Sequence, residues 1–431
     1  MQNNQAAAQE INALDAEAAR ALQAGKEQDA LRLWARILAL DPNHARTLSV
    51  IGLHAFRKGD MPSARVAFQR AVDTDGHECQ QWVNLALACQ GQNDEAGEEQ
   101  AIKCALTVDP SDLLGLILRA GLLERQGKTH QAATAYGAVA TVAPPMEQLN
   151  PELRPAVSHA LAYQQKYQQD CAAFMDQFLD PHYKNLPGER LGRFRDSLDI
   201  MVGRKKRYES QSMMHHYPGL PAIEFFPREE FPWLDGFEAA TNEIRDEFLA
   251  VLKSDAGFTP YITYANDMPL NQWAELNHSP NWSAFHLLKS GEPVQENAAQ
   301  CPQTMQLLAS APQPDQPSRT PTAMFSLLKP KTHIPPHTGV SNVRLVTHLP
   351  LIVPEGCGFR VGNETREWVP GRAWVFDDTI EHEAWNDSDE LRVVLIFDIW
   401  HPHLTPPERA MLTAMAAGMN AFAGNADGFE L

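Results

Sequence analysis

The chain has 431 residues, 44% of them apolar and 21% charged; at roughly 150 residues per domain this supplies two or three ordinary globular cores. Its 54 acidic residues outnumber 36 basic ones, for a net charge of −18, which argues against nucleic-acid binding because phosphate contacts need clustered Lys and Arg. Cys79, Cys89, Cys104, Cys171, Cys301 and Cys357 form no CxxC pair, so neither a thiolate zinc site nor a disulfide framework is expected.

Residues 1–10 are polar and rich in Ala and Gln, without the basic start and apolar run of a signal peptide, and are expected to be disordered. No stretch of 18 apolar residues occurs, so no membrane span and a cytoplasmic location are expected. Residues 11–145 repeat with a period of 34: Gly25, Gly59, Asn93 and Gly127 share one phase, and Asp41, Asp75, Asp109 and Ala143 another. A bulky series, Trp34, Phe68, Ile102 and Tyr136, and a small one, Ala30, Ala64 and Ala132, recur beside them, Glu98 being the single break. Gly or Asn suits a turn between antiparallel helices where φ is positive, the small residues allow close helix approach, and the aromatics fill the groove between. The pattern resembles the tetratricopeptide repeat. Such pairs cannot bury their apolar faces alone, so an α-solenoid is expected, serving as a spacer or dimerisation surface or as a site that recruits a substrate or protein partner.

Residues 146–216 keep helical patterns (Leu153 to Tyr167, Cys171 to Leu179) but lose the period, and read as capping and connector helices. Pro218, Pro221, Pro227 and Pro232 mark entry into a second domain over 217–405. A helix is expected at about 238–253, and the Pro- and Gln-rich stretch 286–321 reads as a long loop or lid. From Thr322, short β-branched and aromatic runs alternate with turn residues: 322–328, 342–353, 358–361, 365–369, 373–376, 382–384 and 391–400. This spacing suggests a sandwich or jelly roll enclosing a pocket. Residues 406–431 are expected to form a C-terminal helix and tail.

Two histidines stand out in this half, His337 in Pro336-His-Thr-Gly339 and His382 in Glu381-His-Glu383, 45 residues apart. Ten residues beyond His382, Arg392 sits in the apolar run Leu391 to Trp400, where an unpaired guanidinium would be costly and so calls for a buried anion. A His before one strand, a second on another and an Arg some ten residues on together resemble the non-haem iron, 2-oxoglutarate-dependent oxygenases. The segments Asn342-Val-Arg-Leu345, Glu355-Gly-Cys-Gly358, Asn363-Glu-Thr-Arg366, Trp374-Val-Phe-Asp-Asp378, Glu381-His-Glu-Ala-Trp385 and Trp400-His-Pro402 narrow the resemblance to the aspartyl/asparaginyl β-hydroxylase family over about 217–405.

That resemblance implies a double-stranded β-helix (jelly roll) with flanking helices after the solenoid, a multidomain α + β chain. It also implies Fe(II) on His337 and His382, with 2-oxoglutarate as cosubstrate. Arg392 and Ser326 match the groups that hold its outer carboxylate, and His348 one near its inner carboxylate; Arg344 is retained, but an Arg common two residues before His348 is replaced by Val346. The usual third ligand position, two after the first His, is Gly339, so iron would have two protein ligands; Asp378 and Glu381 are not expected to substitute, Glu381 because its neighbour His382 faces the other way on a strand. The activity implied is hydroxylation of the β-carbon of Asp or Asn, free or in a peptide. Arg366, Arg360 and Lys329 are candidates to meet a substrate carboxylate, although the simpler reading of each is an ordinary surface base. His333 cannot share a helical face with His337 across Pro335-Pro336, and His401 and His403 read as surface or strand-end residues. Two other functions fit the same residues: a repeat scaffold with a degenerate barrel, and a halogenase in which Gly339 leaves room for chloride.

Overall fold

The computed structural model describes residues 2–186, 191–254, 256–265 and 267–423. The chain divides into two compact units, 1–203 and 204–431, so residues 204–216, expected in the connector, fall with the second unit. No helix among the described residues is long and apolar enough to cross a membrane.

The first unit is an array of four helix pairs: α1 (Gln2–Gln23) and α2 (Glu27–Leu40), α3 (Ala45–Arg57) and α4 (Met61–Thr74), α5 (Cys79–Gly91) and α6 (Glu95–Val108), α7 (Leu113–Arg125) and α8 (Thr129–Val142). Gly25, Gly59, Asn93 and Gly127 occupy the turn inside each pair with φ of 72°, 77°, 57° and 68°, the left-handed conformation that Gly adopts without strain and Asn tolerates. Asp41, Asp75 and Asp109 cap the second helix of three pairs, and each carboxylate accepts a backbone N–H two residues on, an Asx turn that starts the next unit. Ala30, Ala64 and Ala132 are fully buried where the helices meet, beside Trp34, Phe68, Ile102 and Tyr136. Glu98, the break in the small series, is equally buried and is held by two bonds from Arg125 Nη2 at 2.6 and 2.8 Å. The disordered start expected for residues 1–10 is overturned from Gln2 onward, because helix-favouring Ala and Gln continue into the apolar face of Ile11, Leu14 and Ala18. Long α9 (Arg154–Lys184) and α10 (Gly192–Met201) follow.

The second unit holds two sheets. Its strands are β1 (Thr259–Pro260), β2 (Trp282–Lys289), β3 (Glu292–Pro293), β4 (Ala323–Leu328), β5 (Thr332–His337), β6 (Arg344–Ile352), β7 (Cys357–Val361), β8 (Glu364–Arg366), β9 (Trp374–Phe376), β10 (His382–Asn386) and β11 (Arg392–Trp400). The larger sheet runs β1-β2-β4-β11-β6-β9 with β3 on β2, the smaller β5-β10-β7-β8, and every pairing is antiparallel. Helices α11 (Leu234–Ala239) and α12 (Thr241–Ser254) cover the outer face of the larger sheet, where Phe237 stacks on Phe397 and Phe248 packs against Phe325. Central β11 is therefore buried on both faces: Val393, Leu395, Phe397 and Ile399 pack with the helices, while Val394 joins Val346, Phe359 and Phe376 between the sheets. This explains its unbroken apolar run.

The second unit departs from the sequence expectation in two places. The stretch 286–321 is not one loop: it contains the end of β2, then β3, α13 (Gln295–Ala298) and α14 (Pro302–Leu308), whose Thr304 and Leu308 are buried. It contributes nothing to the lining of the cavity between the two sheets, so it is no lid there. Strand β5 was hidden by Pro335-Pro336, which deny two ladder donors; the strand is possible because it is the edge of its sheet and pairs only with β10. C-terminal α15 is Pro406–Ala423, and the expected tail beyond it lies outside the described residues.

Candidate active site

The two sheets enclose a cavity of about 290 Å³. His337 ends β5 and His382 begins β10, and they are direct cross-strand partners, a register that sets both side chains on one face. Their ring centroids are 4.1 Å apart. The Nδ1 of His337 lies 2.8 Å from the carbonyl oxygen of Pro335, and that of His382 lies 3.0 Å from that of Ile380. A carbonyl only accepts, so each Nδ1 carries the proton and each Nε2 keeps a free lone pair, the tautomer a metal requires. Burial, then the neighbouring His382, lowers His337 to about 3, and burial lowers His382 to about 4. Both rings are neutral at physiological pH. The edge of Trp273, 5.0 Å from His337 between centroids, closes one side of the pair.

Across the cavity lies Arg392, 2% exposed on β11. Its Nη1 has only long contacts, 3.4 Å each, to the carbonyl and hydroxyl oxygens of Ser326, and its Nε has no partner. The guanidinium stacks 4.9 Å above Trp368, a residue the sequence did not single out. Burial pulls its pKa down to about 10. His348, on β6, is also buried with an unpartnered Nδ1, and burial, followed by the charge of Arg392, holds it well below its ordinary value. A desolvated cation without an acid costs several kcal/mol unless an anion completes it, and a guanidinium fork suits a carboxylate. This donor set fits the outer carboxylate of 2-oxoglutarate, as the imidazole pair fits Fe(II).

Arg344 is placed differently. Its Nη2 donates to Asp378 Oδ2 at 3.0 Å, it is 2% exposed, and it does not line the cavity. Asp378 lies against Gly339: a Cβ there would meet its carboxylate oxygens at 2.0 and 2.6 Å. The small residue is thus required by packing, and the volume a ligand carboxylate at 339 would use is already filled. Glu381 lines the cavity from just before β10, contrary to the expected opposite facing, because the strand alternation begins only at His382. Among the described residues no group of three or more His, Cys, Asp or Glu is arranged to hold a metal, so the pair of imidazoles stands without a carboxylate.

The remaining candidates lie outside the cavity. Arg360 bonds Glu383, Glu381 and the oxygen of Gly362; Arg366 bonds Glu364 and covers the ring of Phe225; none of Arg360, Arg366 and Lys329 lines the cavity. His333 faces Glu383 instead. His401, expected at the surface or a strand end, directly follows β11 and is fully buried with its ring edge-on to Phe226, while His403 reaches an exposed acid, Glu230, and neither lines the cavity. Sequence reading missed the outer wall, Met213, Tyr261, Trp273 and Trp282; the apolar run Trp282 to Leu288 was a legible strand signal for the last of these.

A jelly-roll cavity carrying a neutral histidine pair and an unpaired buried arginine defines an oxygenase-type site. Residues 238–402 match the aspartyl/asparaginyl β-hydroxylase family. The chain is 33% identical over 201 residues to the ornithine lipid ester-linked acyl 2-hydroxylase of Rhizobium tropici, covering 46% of this chain and 67% of that one. It is 34% identical over 250 residues to human aspartyl/asparaginyl beta-hydroxylase, 53% of this chain and 32% of that one; it thus spans about a third of that relative's length. The chain belongs to the aspartyl/asparaginyl β-hydroxylase family, a family of 2-oxoglutarate oxygenases. A solved structure of MamA aligns with 42% of this chain and 97% of that one at 15% identity and a TM-score of 0.33.

Proposed function

We propose that the second unit is an Fe(II)- and 2-oxoglutarate-dependent dioxygenase that hydroxylates an aliphatic carbon of its substrate. The observation that carries this is the convergence on one cavity of the His337–His382 pair, 4.1 Å between centroids, and a guanidinium with an unpartnered Nε. Iron, when bound, supplies dioxygen activation at the expense of the cosubstrate, with the balance R–H + O2 + 2-oxoglutarate giving R–OH + succinate + CO2.

The chain's own part is to hold and to exclude. His337 and His382 present neutral Nε2 atoms fixed by their Nδ1 bonds. Arg392, with Ser326, grips the outer carboxylate, and His348 lies beside the inner end. Trp273, Trp282 and Phe359 wall the cavity with hydrocarbon, which keeps water from the oxidising centre. The family description points to the β-carbon of Asp or Asn as target, and the name of the Rhizobium relative points to an acyl carbon.

The repeat array recruits a substrate or partner. Support comes from a groove of about 740 Å³ along α6, α7 and α8, floored by Ile102, Leu106, Leu116 and Leu123.

The test is iron-dependent succinate formation from 2-oxoglutarate by the full chain, abolished in His382→Ala. Turnover that survives this substitution, or that needs no iron, ends the proposal.

A further inference from the structure

The cavity-facing side of the larger sheet is graded from polar to apolar. Arg392 and Ser326 stand at one end. Two residues along each strand from Ser326 and Val394, the registered row is Met324, Ile396 and His348, and the next row brings Val346 opposite Phe376. At ~3.3 Å per residue, Ile396 lies roughly 13 Å along β11 from Arg392. Met324, Val346 and Ile396 are therefore apolar surface beyond the reach of the buried guanidinium, on the wall that faces the histidine pair.

The charges of the lining point the same way. Among the described residues that line the cavity there is no Lys and no Arg other than Arg392. Its two acids, Asp378 and Glu381, are bonded to Arg344 and Arg360. With Arg392 given to the cosubstrate, a second carboxylate would enter beside two acids and no unpaired base, and burying it there would cost several kcal/mol.

We propose that the substrate group oxidised in this cavity is an uncharged aliphatic chain lying against Met324, Val346 and Ile396, and that an aspartate side chain is excluded. This rests on the hydroxylase reading and narrows it. An acyl chain and an aliphatic peptide side chain share the chemistry.

The experiment is calorimetric titration, under argon, of the full chain loaded with Mn(II) and 2-oxoglutarate. The probes are decanamide, N-acetyl-leucine methylamide and N-acetyl-aspartate methylamide. The expected result is at least tenfold tighter binding of an aliphatic probe than of the aspartate probe. The better of the two aliphatic probes assigns the source: decanamide an acyl chain, the leucine probe a peptide. Val346→Arg, or Met324→Lys should the first variant not fold, is expected to narrow the preference at least tenfold by supplying the missing cation. Equal or tighter binding of the aspartate probe by the unaltered chain overturns the proposal, as does failure of both aliphatic probes to bind. Absence of iron-dependent succinate formation would instead remove the hydroxylase reading, so the two failures are read separately.

Discussion

Replacing Arg392 with Met should stabilise the ligand-free second unit while destroying its response to 2-oxoglutarate. The guanidinium is 2% exposed, has two 3.4 Å contacts to Ser326 and no carboxylate partner, and its pKa is drawn down to about 10. From an ordinary value above 12, that fall opposes the charged form by about 3 kcal/mol at ~1.4 kcal/mol per tenfold change. Met fills similar space without the charge, at the loss of the stacking on Trp368, worth about 1–2 kcal/mol. The net expectation is a gain of about 1–2 kcal/mol, or roughly 2–8 °C in the melting temperature of a unit of this size. Differential scanning calorimetry with Mn(II) present, with and without 2-oxoglutarate, reads both effects. In the unaltered chain the cosubstrate raises the transition by completing the buried cation; in Arg392→Met the rise is absent. A variant less stable than the parent without cosubstrate, or one still stabilised by it, refutes the assignment of Arg392 as a cation waiting for a carboxylate.

Two further outcomes follow from packing. Gly339→Ala places a Cβ within 2.0–2.6 Å of the Asp378 carboxylate, so the second unit should lose about 1–3 kcal/mol, and Gly339→Asp should lose more without gaining metal affinity, checked by chemical denaturation and Mn(II) titration. In the repeat array, Arg125→Met leaves buried Glu98 without its ion pair and should cost about 2–4 kcal/mol; adding Glu98→Ala, which restores the small residue found at 30, 64 and 132, should recover most of it, and an additive double-variant cost in urea melts would refute the pairing.

The helical array was legible residue by residue because its determinants are local. A positive φ at 25, 59, 93 and 127, a small residue where helices touch and an Asx turn after three of the four pairs are short-range demands that recur every 34 residues. Glu98 shows where local reading stops: its partner, Arg125, lies on the next helix pair and nothing in the period announces it. In the second unit the strands from 323 onward were visible by their apolar runs. β5 was not, since two prolines contradict strand formation everywhere except at an edge, and being an edge is a property of the whole sheet.

The site divides the same way. Residue type and position along the chain singled out His337, His382 and Arg392, because a histidine pair and a guanidinium inside an apolar strand are unusual, while Ser326 and His348 came only from the family resemblance. Which groups share the cavity was decided only by folding. Arg344 is spent on Asp378, Asp378 fills the space beside Gly339, Glu381 turns inward ahead of its strand, and the wall is completed by Met213 and Trp273 from distant segments. The physical reason is that a side chain's availability depends on what pairs with it and what is packed beside it, and in an antiparallel barrel those neighbours come from strands far apart in the chain.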